Sequence, residues 1–199
     1  MARTLDRQLL DRLDLCLRQH NPAVLDQAVP GPHPDEIRWQ LRSFPGRVPS
    51  ELITWWSYRQ WGPDLVLPGA QFCTVEEALR AYAIQRDLAE NQVAVDYGDS
   101  AVADEYWPPQ WLPVMGRDGI VFVADTADGN EHIAPIKYFE SISFRFEEYG
   151  RVIAESLGDF VYYALEEIAA GIWVISHTGD WISSDDIPEP GPRPLIPRA

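Results

Sequence analysis

The spacing of apolar residues changes once along these 199 residues, and that change restricts the fold more than any other feature. Up to about residue 88, apolar side chains recur at three- and four-residue intervals, the period of helices that bury one face. Leu5, Leu9, Leu13, Cys16 and Leu17 mark a helix over Thr4 to Gln19. Ile37, Leu41 and Phe44 mark a second from Pro34, with Asp35 and Glu36 at the end where the helix dipole favours acids. Pro49 opens a third, lined by Leu52, Trp55 and Trp56 and stopped by Gly62-Pro63. Thr74-Val-Glu-Glu77 is a capping box and predicts a fourth helix to about Leu88. From Trp111 the pattern becomes short extended runs: Leu112 to Met115, Ile120 to Ala124, Ile133 to Phe139, Ile142 to Phe146 and Arg151 to Ala154. Ser156 then caps a last helix to about Ala170, Gly171 stops it, and Ile172 to Ser176 returns as a strand.

Length and composition bound the class. A chain this long makes one domain, or one domain with an N-terminal extension. Residues 1–33 read as that extension, a helix followed by the stiff connector Pro30-Gly-Pro-His-Pro34. The stretch 188–199 holds five prolines within its first ten residues and reads as an extended tail. The 46% apolar fraction excludes a disordered chain, and two cysteines exclude a disulfide scaffold. No apolar run approaches the length of a membrane span, and the charged N-terminus does not read as a signal peptide, so a cytoplasmic location is the expectation.

The net charge is −15 and is unevenly placed. Residues 1–86 carry ten acids and ten arginines; residues 87–136 carry ten acids and one base, Arg117. Spread evenly over a surface of roughly 9,500 Å², the excess charges would sit roughly 25 Å apart and be screened beyond about 8 Å. Clustered, they would act together. Nucleic acid and anionic membranes are poor partners, because phosphate binding needs a basic stripe. A basic protein partner is the expectation if the acids gather.

The segment from Asn91 to Pro109 has no clear period and reads as a long loop. It interleaves Asp96, Asp99, Asp104 and Glu105 with Tyr97, Tyr106 and Trp107, a composition suited to partner binding: aromatic anchors with carboxylates to meet arginine or lysine. Trp55 and Trp56 are secondary candidates. Two adjacent tryptophans cannot both face a core fully; packing at the flanks of the helix is expected, with a domain edge or groove as the alternative. Catalytic signatures are missing. None of His20, His33, His132 and His177 has metal-ligand spacing, and there is no nucleophile elbow, phosphate loop or dinucleotide fingerprint. The segment Asp125-Thr-Ala-Asp128-Gly129-Asn130 lacks the closing acid of a calcium loop, because Ile136 stands at position twelve. No catalytic residue, cofactor or metal is expected.

The ordered motifs resemble a known family. Val48-Pro49-Ser-Glu-Leu52 with Trp55-Trp56 and Trp61-Gly62 resembles the opening of the SUKH superfamily, which includes fungal cell-wall-assembly regulators and many bacterial immunity proteins. Thr74-Val-Glu-Glu-Ala-Leu79, Trp107-Pro-Pro-Gln-Trp111-Leu-Pro-Val114, Asp118-Gly119, Val123-Ala-Asp125 and Ala154-Glu-Ser156-Leu-Gly-Asp-Phe160 follow in the family's order. The resemblance covers roughly residues 34–176, within a SUKH-like domain drawn at 34–187. It implies an α+β fold, with N-terminal helices packed on one side of a mostly antiparallel curved sheet and a C-terminal helix. It also implies a non-catalytic protein-binding module, of the immunity type that neutralises a basic toxin domain such as a nuclease. Two other readings stay open: a regulatory or scaffold protein of the same fold, and an enzyme acting on a small cationic substrate.

Overall fold

A computed structural model describes residues 2–62, 66–98, 101–117, 119–140 and 150–186. The strand expected over Ile142 to Phe146 and the proline-rich tail lie outside the described residues. The architecture is α+β. Its spine is a five-stranded antiparallel meander, β3 (Gln71–Phe72), β4 (Trp111–Arg117), β5 (Ile120–Asp125), β6 (Ile136–Glu140) and β7 (Arg151–Ala154), paired in that order. Register shifts interrupt the β4–β5 and β6–β7 ladders, and such bulges bend and twist strands.

Side-chain alternation along β5 shows what covers each face of the sheet. Phe122 and Ala124 belong with the main core, built from α1 (Arg7–His20), α3 (Pro34–Gln40), α4 (Ser50–Tyr58), α5 (Val75–Leu88) and α8 (Leu157–Ala169). Val121 and Val123 belong with a second, smaller core around Trp107 and Phe139. Both faces are therefore covered, where the family resemblance implied helices on one side only. The cover on the second face comes from the segment that reads as a loop in the sequence.

The first helix is integral to the main core. Asp6 caps it by accepting from the Leu9 N–H at 2.8 Å, and Leu9, Leu10, Leu13 and Leu17 are buried. The short helix α2 (Pro22–Gln27) follows, and β1 (Val29–Pro30) pairs with β2 (Arg59–Gln60), tying the N-terminal stretch to the end of α4. A second hairpin, β8 (Trp173–Ile175) with β9 (Trp181–Ser183), follows α8.

One buried carboxylate joins three elements. Glu51, in the first turn of α4, is 1% exposed. It accepts hydrogen bonds from the backbone N–H groups of Ala134 at 3.0 Å and of Leu157 and Gly158 at 3.2 Å. Leu157 and Gly158 open α8, so Glu51 satisfies donors that no helix can satisfy for itself. Ser156 adds an ordinary cap, accepting from Asp159 N–H at 2.9 Å and donating to the Arg3 carbonyl. Gly158 is required here: a Cβ at that position would lie 2.6 Å from the Arg3 carbonyl oxygen. Burial pushes the Glu51 carboxyl up to about 7, against the opposing pull of the three N–H donors.

Candidate functional site

The acid-rich segment is helical over residues 91–97 and 101–106. Thr74 and Glu77 form the expected capping box at the start of α5, with Glu77 N–H donating to Thr74 Oγ1 and Thr74 N–H to Glu77 Oε2. The helix then passes into a π-turn over Ala89–Val93, a short α6 (Ala94–Tyr97) and, after a turn at Gly98 (φ 68°), α7 (Ala101–Tyr106). The π-turn and the left-handed turn break the helical spacing, which is why no period is legible there.

What stabilises these short helices is an aromatic cluster beneath them. Trp107 is fully buried, with Phe139 at 5.0 Å and Trp111 at 5.7 Å between ring centroids, both edge-on. Tyr106 meets Phe139 at 5.4 Å. Ala89, Val93 and Ala103 complete the cluster. Tyr106 and Trp107 are thus interior residues and correct the expectation that they are partner anchors: side chains 2% and 0% exposed have no surface left to offer. Their role is to hold the helices on the sheet.

The acids lie outside. Asp87, Glu90, Asp96, Asp104 and Glu105 are all exposed. Asp99 and the Tyr97 side chain lie outside the described residues. Residues 87–116 contain six acids and no lysine or arginine. The guanidinium nearest them comes from upstream and is drawn inward. Arg86 donates to Asp104 at 2.8 Å and to the Trp107 carbonyl at 2.7 Å, and it pairs with Glu90. Burial works against the Arg86 charge, and the Asp104 and Glu90 contacts outweigh it. Among the described residues, no cation pairs with Asp96 or Glu105. Two apolar side chains in this stretch of the chain are also exposed, Ile84 at 59% and Val95 at 70%.

The secondary candidates fall elsewhere. Both tryptophans are buried, Trp55 at 1% and Trp56 at 3%, because α4 is enclosed on several sides at once. Trp55 packs on Phe72 at 4.2 Å and Trp61 at 5.7 Å. Trp56 donates its indole N–H to the Cys73 carbonyl at 2.9 Å and walls a cavity of about 190 Å³. Trp61, Arg59, Glu36, Cys73 and Glu76 also line this cavity, which composition alone did not reveal because its walls come from three separate stretches of chain. Burial pushes the Cys73 thiol up to about 11, helped by Glu77, which disfavours the thiolate. No group of three or more metal-ligating side chains is found among the described residues, and no helix there is long and apolar enough to cross a membrane.

Compared with known proteins, the chain matches no family model and no curated protein sequence.

Proposed function

We propose that this chain is a non-catalytic protein-binding module whose acidic ridge, Asp87 to Glu105, docks a basic protein domain. The observation that carries the reading is the ridge itself: exposed carboxylates on successive helical turns, few of them neutralised, fixed on a rigid aromatic base. A preorganised acidic face speeds encounter with a basic partner and rejects acidic ones. Ile84 and Val95 supply apolar contact among the charges. A nuclease-type toxin, with its basic phosphate-binding cleft, is the partner class that fits best, which makes this an immunity-type protein.

The test begins with capture from the source organism's lysate at low and high salt, with the bound proteins identified by mass spectrometry. Association kinetics are then measured with each basic protein found and with a panel of purified nuclease domains. Combining Asp96→Asn, Asp104→Asn and Glu105→Gln is expected to lower the association rate about tenfold or more at low salt, and much less near 0.5 M salt. Association indifferent to both salt and the triple variant would overturn the reading.

A further inference from the structure

The cavity beside the N-terminal turn of α5 has a chemistry that the ridge does not use. We propose that it receives one arginine side chain of the basic partner, an inference that rests on the reading above. Its size is the first argument. About 190 Å³ holds the volume of about six waters, below the roughly 300–1,000 Å³ of free small-molecule sites. One long side chain fills it.

Its walls are the second argument. Trp56 and Trp61 both line it, 3% and 8% exposed, and the strip of aromatic surface left open there attracts a flat guanidinium more specifically than a compact ammonium. Charge is the third. The carboxylates of Glu36 on α3 and Glu76 on α5 both line the cavity. One cation, Arg59, is itself in the wall and is engaged by a third acid, Asp14, at 2.8 Å; a second, Arg80, is engaged by Glu76 at 2.8 Å. Three acids against two bases leave a net negative site. The positive end of α5 is offset by Glu77, which caps it.

The cavity is also continuous with the ridge. Glu76, Arg80, Ala83, Ile84 and Asp87 are all exposed along α5, running from the cavity to the acidic segment. A helix of 14 residues is about 21 Å long. A standard interface of about 800 Å² per partner spans about 30 Å. One partner therefore reaches both, with an arginine anchored at one end and its basic surface lying over the other.

The test uses the full chain and N-acetyl-arginine amide, with the uncharged citrulline analogue and the lysine analogue as comparisons. Binding is followed through the tryptophan indole N–H resonances. The arginine probe is expected to shift the Trp56 and Trp61 signals, with the citrulline analogue roughly tenfold weaker. The double variant Glu36→Gln, Glu76→Gln, in exposed side chains the fold does not depend on, is expected to weaken the arginine probe several-fold. No shift at the solubility limit of the probe, or equal binding of the citrulline analogue, overturns the proposal. So does a response abolished by the triple ridge variant but not by the Glu36/Glu76 pair, since the probe then binds the ridge and the ridge reading stands alone. If the probe binds the cavity while no basic protein binds the chain, the arginine receptor stands and the docking function falls.

Discussion

Glu51 makes stability depend on pH in a direction opposite to that of most carboxylates. Its folded-state value of about 7 lies above the ordinary carboxyl value of 4.5 because the group is buried in the interior. The folded state therefore holds a proton that the unfolded state has released. The contribution of Glu51 to stability is fully present below pH 4.5, where both states are protonated, and is lost as pH rises towards 7 and beyond. The rise from 4.5 to about 7 corresponds to about 3 kcal/mol. About 2 kcal/mol of this falls between pH 5.5 and 8, a range that avoids precipitation near the sequence pI of about 4.5. Glu51→Gln keeps the shape and removes the titration. Urea unfolding of both proteins, followed by tryptophan fluorescence, isolates the contribution, because other charges affect both alike. The unfolding free energy of the native chain minus that of Glu51→Gln is expected to fall by about 2 kcal/mol from pH 5.5 to 8. A flat difference would mean that the N–H groups of Ala134, Leu157 and Gly158 keep Glu51 ionised throughout, and the argument from burial would fail. Glu51→Ala sets the upper limit: three buried donors without an acceptor cost about 1–3 kcal/mol each, less what is regained by removing the charge.

Two further outcomes test how the ridge is held. Arg86→Met strips the donor from the Trp107 carbonyl and from Asp104; a loss of about 1–3 kcal/mol and faster hydrogen exchange over residues 101–106 are expected, with partial recovery in Arg86→Lys. Trp107→Ala empties the centre of the smaller core; a cost of about 3–5 kcal/mol in urea unfolding is expected, with α7 exchanging first, and a loss under 1 kcal/mol would show that the aromatic cluster does not hold the ridge.

Elements that depend on local signals were legible in the sequence. The Thr74 capping box, the Ser156 cap and the Gly171 stop (φ 74°) each stand where their chemistry places them. The strands at Trp111–Arg117, Ile120–Asp125 and Arg151–Ala154 follow from short apolar runs between turn residues. What escaped depends on distant partners. The β1–β2 pair joins Val29 to Gln60 across thirty residues, and two-residue strands carry no pattern of their own. The helicity of residues 94–97 and 101–106 is supported by Phe139 and Trp111, so local spacing could not announce it. Burial of Tyr106 and Trp107 was hidden for the same reason. The candidate site was legible in its charge, through Asp96, Asp104 and Glu105, but not in its anchors.

That division has a physical basis. A run of six acids without a lysine or arginine repels itself and would favour an open chain if left alone. Two features counter the repulsion, and both come from outside the run. Arg86, just upstream, reaches Glu90 and Asp104, drawing the π-turn and α7 together. Phe139, from the middle of the sheet, gives Tyr106 and Trp107 a surface on which to bury their rings. Tyr106 and Trp107, which read as anchors for a partner, are therefore what lets the acidic surface form, and the carboxylates stay exposed while these rings and Trp111 are committed inward. A partner meeting this surface finds carboxylates carried on helices that are packed on the smaller core, with the exposed aliphatic side chains Ile84 and Val95 in the same stretch of chain. Ordering costs on binding are then small, and affinity depends on how well the partner's cations match carboxylates whose positions were set on folding.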